Sequence, residues 1–251
     1  MNRIESTQNN QVKEWKKLLT RKGRKKQNKY IIEGEHLVEE AIKAGAPIET
    51  ILVREDKWSA YSEYDEELTI LISEEISLLL TDTVTDQGVF AVLKMDEEQE
   101  KITGNKPVLL LDEVQDPGNL GTLIRSADAA GFEGVIIGKG SVDLYNSKAL
   151  RSAQGSHFHL TVLHDDLSVW IERFKAKEMA VYGTALDERA VSYHQIKPAD
   201  TFALIVGNEG NGVDPKILET TTENLYIPIK GQAESLNVAI AASILMFTLY
   251  K

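Results

Sequence analysis

The chain has 251 residues, 42% of them hydrophobic, and no cysteine. That is enough apolar material for one or two cores, and it excludes a disulfide framework, a zinc-thiolate site and a thiol nucleophile. The net charge of −11 is uneven: residues 1–30 hold ten Lys or Arg against two acids, +8, and the other 221 residues carry −19.

A basic head on an acidic body points to phosphate contacts through Lys13, Lys16, Lys17, Arg21, Lys22, Arg24, Lys25 and Lys26. A tail kept soluble by its charge would have the same composition. Within the head, Val12, Trp15, Leu18 and Leu19 recur at helical spacing before the breaker Gly23. Strands then follow at Tyr30–Glu33, Ile48–Val53, Leu68–Ile72 and Val89–Leu93, with helices at Glu35–Lys43 and Ser73–Leu80. Residues 29–94 thus read as a small α/β domain behind a basic segment, 1–28. Residues 95–106 are charged, nearly free of apolar side chains and followed by Pro107, as in a linker.

From residue 107 to 251, short apolar runs at Val108–Leu111, Gly134–Ile137, Leu160–Leu163, Ala180–Tyr182, Phe202–Val206 and Leu225–Ile229 read as buried strands. Helical patterns at Leu120–Ala130, Ser147–Ala153 and Leu167–Lys177 lie between them, so a mostly parallel sheet covered on both faces is expected. The last strand leads through six polar or small residues into a helix from Leu236 that is almost free of charge. Such a helix is packed on most of its surface and fixes the loop before it, where Glu234, Ser235 or Asn237 would serve equally as an ordinary N-cap. No signal-peptide pattern and no apolar run of membrane-spanning length are present, so a cytoplasmic protein is expected.

Ligands of parallel sheets gather at the carboxyl ends of the strands. Two loops there are distinctive: 112–128, which puts Asn119 at the mouth of a helix and Arg125 about two turns in, and Gly207-Asn-Glu-Gly-Asn-Gly212. The second has the glycines of a dinucleotide fingerprint in reverse order, and Gly138-Lys139-Gly140 lacks the Ser or Thr of a P-loop. His157 and His159 would share one strand face but have no third ligand nearby, so no metal is expected.

Asn119-Leu-Gly-Thr-Leu-Ile-Arg125, Val206-Gly-Asn-Glu209-Gly-Asn-Gly-Val213 and the stretch from Ile227 through Ser235 and Asn237 resemble, in order and spacing, the three motifs of SpoU-class RNA ribose 2′-O-methyltransferases of the SPOUT superfamily. The resemblance covers residues 107–251, and residues 29–94 look like the RNA-binding domain many members carry. It implies a trefoil knot in the C-terminal domain, a homodimer formed through that domain, S-adenosylmethionine as cofactor, and RNA as substrate, ribosomal in preference to transfer RNA. It further implies that Thr184, Gly207, Ile227 and Leu236 contact the cofactor and that Asn119, Arg125, Glu209, Ser235 and Asn237 form the catalytic site. An RNA-binding protein with a vestigial site and a metabolite-binding protein are the rival readings.

Methyl transfer to a ribose hydroxyl needs donor and acceptor aligned and the hydroxyl proton loosened. No His or Cys lies in the three motifs, and a guanidinium stays protonated in proteins. Arg125 is therefore expected to clamp the substrate phosphate and stabilise the developing alkoxide. Glu209 is expected to orient Arg125 or Asn119.

Overall fold

The computed structural model describes residues 2–82, 86–95, 102–187 and 189–251. They form two compact units, residues 1–98 with 145–158 and residues 99–144 with 159–251. The first contains β1 (Asn2–Ile4), α1 (Asn10–Lys17), α2 (Arg21–Gln27), β2 (Lys29–Glu33), α3 (Glu35–Lys43), β3 (Ile48–Arg54), β4 (Thr69–Ile72), α4 (Glu74–Leu80) and β5 (Val89–Lys94). Its sheet runs β1-β4-β3-β5-β2, with β5 antiparallel to both neighbours. Strand alternation divides the apolar residues between two cores. Tyr30, Ile32, Ile51 and Val53 face α3, while Ile31, Leu52, Phe90 and Val92 pack with Val12, Trp15, Leu18, Ile76 and Leu80.

The basic head is part of this unit. Strand β1 pairs with β4, and the apolar stripe of α1 is buried in the second core while Lys13, Lys16 and Lys17 face solvent. Gly23 does not break the chain but lies within α2, where a Cβ would come 1.9 Å from the Lys17 carbonyl oxygen. The break falls at residues 18–20, and Thr20 Oγ1 caps α2 by accepting from Gly23 N at 3.1 Å. Arg24 departs from the expectation of a phosphate contact. It is 5% exposed and donates from Nη1 to the Leu18 carbonyl at 2.9 Å, which joins the two helices.

The second unit holds β6 (Val108–Leu111), α5 (Pro117–Ala129) and β7 (Gly134–Ile137). The next helix, α6 (Ser147–Ala153), belongs to the first unit. There Leu150 enters the core, Tyr145 lies 4.4 Å from the Tyr30 ring, and the Gln154 carbonyl meets His36 Nε2 at 3.2 Å. The sequence pattern had placed that helix on the larger sheet.

After α6 come β8 (Thr161–His164), α7 (Leu167–Ala176), β9 (Val181–Thr184), β10 (Val191–Ser192), β11 (Ala203–Val206), α8 (Pro215–Leu218), β12 (Glu223–Tyr226) and α9 (Val238–Leu249). All seven strands pair in parallel in the order β10-β12-β9-β11-β6-β7-β8. The runs of β6, β7 and β11 are buried throughout, as strands covered on both faces must be. Helix α9 buries Ala239, Ala242, Leu245, Met246 and Leu249 and packs along α5, where the Ser243 and Ser126 hydroxyls pair at 2.8 Å. It begins two residues later than its apolar pattern predicts, leaving Leu236 in the loop.

His157 lies in a 3-10 turn, Ser156–Phe158, and not on a strand, while His159 Nδ1 sits 3.1 Å from Asp128 Oδ2. Half of the expected linker, 96–101, lies outside the described residues. Residues 103–106 are anchored: Glu133 accepts from the backbone N–H groups of Thr103, Gly104 and Lys106 and from the Thr103 hydroxyl.

Candidate active site

The neighbouring parallel strands β12, β9 and β11 end on the same side of the sheet, and the loops beyond them line an open cavity of about 710 Å³. Thr184, Gly207, Ile227 and Leu236, the four residues expected to hold a cofactor, line it together with Glu209, Ser235 and Asn237. The size suits a small organic ligand, and the wall is mainly apolar side chains and exposed backbone. Gly207 is required by packing, because a Cβ there would lie 2.1 Å from the Gly212 carbonyl carbon. Thr184 Oγ1 donates to the Ile205 carbonyl at 3.0 Å and ties the end of β9 to β11.

A chain of side-chain hydrogen bonds joins the three loops. Asn237 caps α9, its Oδ1 accepting from Ala239 N at 2.9 Å, and its Nδ2 donates to Asn119 Oδ1 at 2.9 Å. Asn119 Nδ2 in turn donates to Glu209 Oε1 at 3.0 Å. The other acceptor sites of Glu209 take the N–H groups of Gln115 at 3.1 Å and Asp116 at 3.0 Å, just before α5. Partial loss of water around the otherwise exposed carboxyl pushes the Glu209 pKa upward, but the bonds from Asn119 and the two backbone amides outweigh it and hold the carboxyl below its ordinary value. Glu209 is thus a carboxylate that organises donors and a poor proton acceptor at neutral pH.

Glu209 meets Asn119 and not Arg125. Arg125 is exposed on α5, and among the described residues no hydrogen bond or ion pair fixes its guanidinium. Ser235 is exposed on the cavity wall. Lys13, Lys16, Lys17, Arg21, Lys22, Lys25 and Lys26 are exposed in the first unit, and Lys17 is paired with Glu14 at 2.5 Å.

Two contributors escaped the motif reading. Asn208 donates from Nδ2 to the Glu113 carbonyl at 3.0 Å, and its Oδ1 accepts from Gly210 and Asn211, an Asx turn that the Asn-x-Gly-Asn-Gly run could have signalled. Asp112, 7% exposed at the end of β6, accepts from Asp214 N at 2.8 Å, and burial raises its pKa. An acid directly after a wholly apolar strand was its only mark.

The family model of the SpoU rRNA Methylase family matches residues 106–247, and that of the MRM3-like substrate binding domain matches residues 9–91. The 23S rRNA (guanosine(2553)-2′-O)-methyltransferase RlmP of Bacillus subtilis is 50% identical over 250 residues, covering 99% of either chain. A crystal structure of an RNA 2′-O ribose methyltransferase superposes with a TM-score of 0.83 at 32% identity, covering 98% of this chain and 97% of that one. The SpoU methyltransferase AviRb of Streptomyces viridochromogenes, solved with S-adenosylmethionine, gives 0.85 at 26% identity over 96% of this chain and 97% of that one. With Glu209, Ser235 and Asn237 on the cavity wall, Asn119 bonded to two of them, and the match running through both units, the chain belongs to the SpoU rRNA methylase family, RNA methyltransferases that draw the methyl group from S-adenosylmethionine.

Proposed function

We propose that the protein methylates a ribose 2′-hydroxyl of ribosomal RNA, with a guanosine of the large-subunit RNA as the target. The observation that carries this reading is the Asn237–Asn119–Glu209 chain, which ties all three motif loops together beside the cavity. The residue identity with the Bacillus subtilis enzyme, shared across both units, supports the choice of ribosomal substrate.

Bound S-adenosylmethionine supplies an electrophilic methyl group on a sulfonium; the chain aligns the acceptor with it. The backbone around Gly207 and Ile227, with Leu236 and Thr184, holds the cofactor. Asn119 is oriented at both ends of its amide, so it meets the substrate in one fixed pose. Arg125, free of intramolecular partners among the described residues, clamps the phosphate beside the target ribose and stabilises the alkoxide as the hydroxyl proton leaves. Ser235 shapes the loop against the ribose. Lys13, Lys16, Lys17, Arg21, Lys22, Lys25 and Lys26 grip the RNA backbone, whereas Arg24 stays in the core of the first unit.

Three further features belong to this reading. The C-terminal strand, loop and helix form a trefoil knot. In support, Ile227, Ile229 and residues 235–238 share one cavity with loop 207–213, and after α9 Lys251 N donates to the Ala199 carbonyl. The active unit is a homodimer through α9, on which Ile240 and Phe247 stand 55% and 61% exposed. The protein works in the cytoplasm, where ribosomal RNA is matured; among the described residues no helix is long and apolar enough to cross a membrane.

Mapping ribose methylation in cells with and without the gene tests the proposal. Loss of one 2′-O-methyl group from the large ribosomal RNA is expected. An intact ribosomal pattern with a lost transfer-RNA methyl group would redirect the reading to transfer RNA, and no change in either would refute it.

A further inference from the structure

Between β6 and α5 the chain makes an irregular turn in which Glu113 adopts a positive φ of 54°, a conformation that a non-glycine side chain holds only when its surroundings impose it. Val114, the next residue of the turn, is fully buried. A buried backbone N–H must find an acceptor. The acceptor is Ser141 Oγ, at 3.1 Å, and the same hydroxyl lies 3.4 Å from the Leu111 carbonyl at the end of β6. Ser141 is itself 7% exposed, so water does not compete for it. The backbone completes the grip. Val142 N donates to the Val114 carbonyl at 2.9 Å, Gly138 N donates to the Leu111 carbonyl at 2.8 Å, and Gly140 lies against the Glu113 side chain.

On its other side the same turn carries the active site. Its next two N–H groups, of Gln115 and Asp116, bind Glu209, and the Asp116 side chain caps α5 by accepting from Asn119 N at 2.9 Å. The pose of Asn119 therefore depends on a turn held from one side by Glu209 and from the other by Ser141.

We infer that Ser141 is a positioning residue of the methyl transfer. It holds the Val114 amide so that Asn119 is presented to Glu209 and Asn237 on the cavity wall, although Ser141 neither lines the cavity nor bonds to any of the five catalytic candidates. The inference rests on Asn119 belonging to the active site. Replacing the hydroxyl by hydrogen leaves the Val114 N–H buried without its acceptor, and the turn relaxes. Displacement of a catalytic group by about 1 Å commonly costs a factor on the order of a hundred in rate. The cavity wall draws on 184–187, 207–213, 225–227, 235–238 and single residues of α8 and α9, and does not include the turn.

Full-length Ser141→Ala and Asn119→Ala are compared with the parent for transfer of a radiolabelled methyl group to a ribosomal RNA fragment, for S-adenosylmethionine binding by calorimetry, and for exchange of the Val114 amide. For Ser141→Ala, kcat should fall at least about tenfold, the cofactor Kd should change less than about threefold, and Val114 should exchange faster while Leu110 stays protected. A kcat within about twofold of the parent, or loss of cofactor affinity in proportion to rate, would overturn the inference. If Ser141→Ala does not fold, Ser141→Cys, which keeps the shape and weakens the hydrogen bond, must show the same loss of kcat at unchanged cofactor affinity; a parental kcat there is equally fatal. If Asn119→Ala retains the parent rate, the active-site reading fails and takes this inference with it. An inactive Asn119→Ala beside a fully active Ser141→Ala refutes the role of Ser141 alone.

Discussion

Removal of the Glu209 carboxylate is the perturbation that loads most of the site's geometry onto one side chain. In Glu209→Ala the N–H groups of Gln115 and Asp116 and the amide of Asn119 all lose their acceptor. Charge-assisted hydrogen bonds are worth about 1.5–3 kcal/mol when sheltered, but Glu209 is exposed and water will satisfy part of each, so about 1 kcal/mol per bond is the appropriate scale. Three such bonds sum to about 3 kcal/mol, or roughly a hundredfold in kcat if the lost order matters chiefly in the transition state. Glu209→Gln keeps one carbonyl oxygen and loses about one bond, so a drop of about fivefold is expected. The assay is single-turnover methylation of a ribosomal RNA fragment at saturating cofactor. The pH dependence separates an organising role from a basic one. Because the folded carboxyl sits below its ordinary value, its contribution is complete above the unfolded pKa of about 4.3 and is lost only as pH falls through the lower folded value. Glu209→Gln should therefore leave the neutral-pH profile unchanged in shape. A Glu209→Ala enzyme within threefold of the parent, or loss of a titration near neutrality in Glu209→Gln, would refute the reasoning.

Arg125→Ala should lower kcat by at least about a hundredfold with cofactor affinity intact, and Arg125→Lys should recover little because an ammonium lacks the bidentate fork, both read by turnover and calorimetry. Gly207→Ala should abolish cofactor binding in calorimetry, since the added methyl would meet the Gly212 backbone. Arg24→Ala should cost about 1–3 kcal/mol in denaturant unfolding by leaving the Leu18 carbonyl without its donor, whereas Lys22→Ala and Lys25→Ala should leave stability unchanged and flatten the salt dependence of RNA affinity. Glu133 stands below its ordinary pKa: burial raises it, and the bonds from Thr103, Lys106 and Gly104 more than offset that. Its stabilisation is therefore full above about pH 4.3 and lost below, so Glu133→Gln should lower Tm at pH 7 and shrink the difference from the parent in acid.

What the sequence disclosed about the fold followed from how strongly each segment repeats one physical pattern. The runs Val108–Leu111, Gly134–Ile137 and Phe202–Val206 are apolar without alternation, which only a strand covered on both faces explains, and all three lie in the parallel sheet. Two edge strands gave no such signal: β1 and β10 are only three and two residues long with a single buried residue each, so neither was legible. Gly23 misled because a glycine inside a helix looks like a breaker until the Lys17 backbone is found against it. The order of the three motif loops singled out Asn119, Glu209 and Asn237 as candidates, but their mutual hydrogen bonds are contacts between residues about ninety or more apart and appear in no local pattern. Asp112 and Ser141 were hidden for the same reason, since a lone acid and a lone serine have no periodicity.

The placement of α6 bears on how the protein can be made and divided. The chain passes between its two units three times, once between residues 95 and 102 and again at 144–145 and 158–159, so a single cut near residue 100 severs only one passage. A fragment ending there would leave the Tyr30 and Val38 face without Leu150 and the Tyr145 ring, an apolar surface open to aggregation. During synthesis the first unit likewise waits for residue 158, by which time β6, α5 and β7 have already emerged. The N-terminal half therefore cannot finish folding ahead of the rest, and it should be expressed and studied as a complement to the peptide 145–158 or within the whole chain.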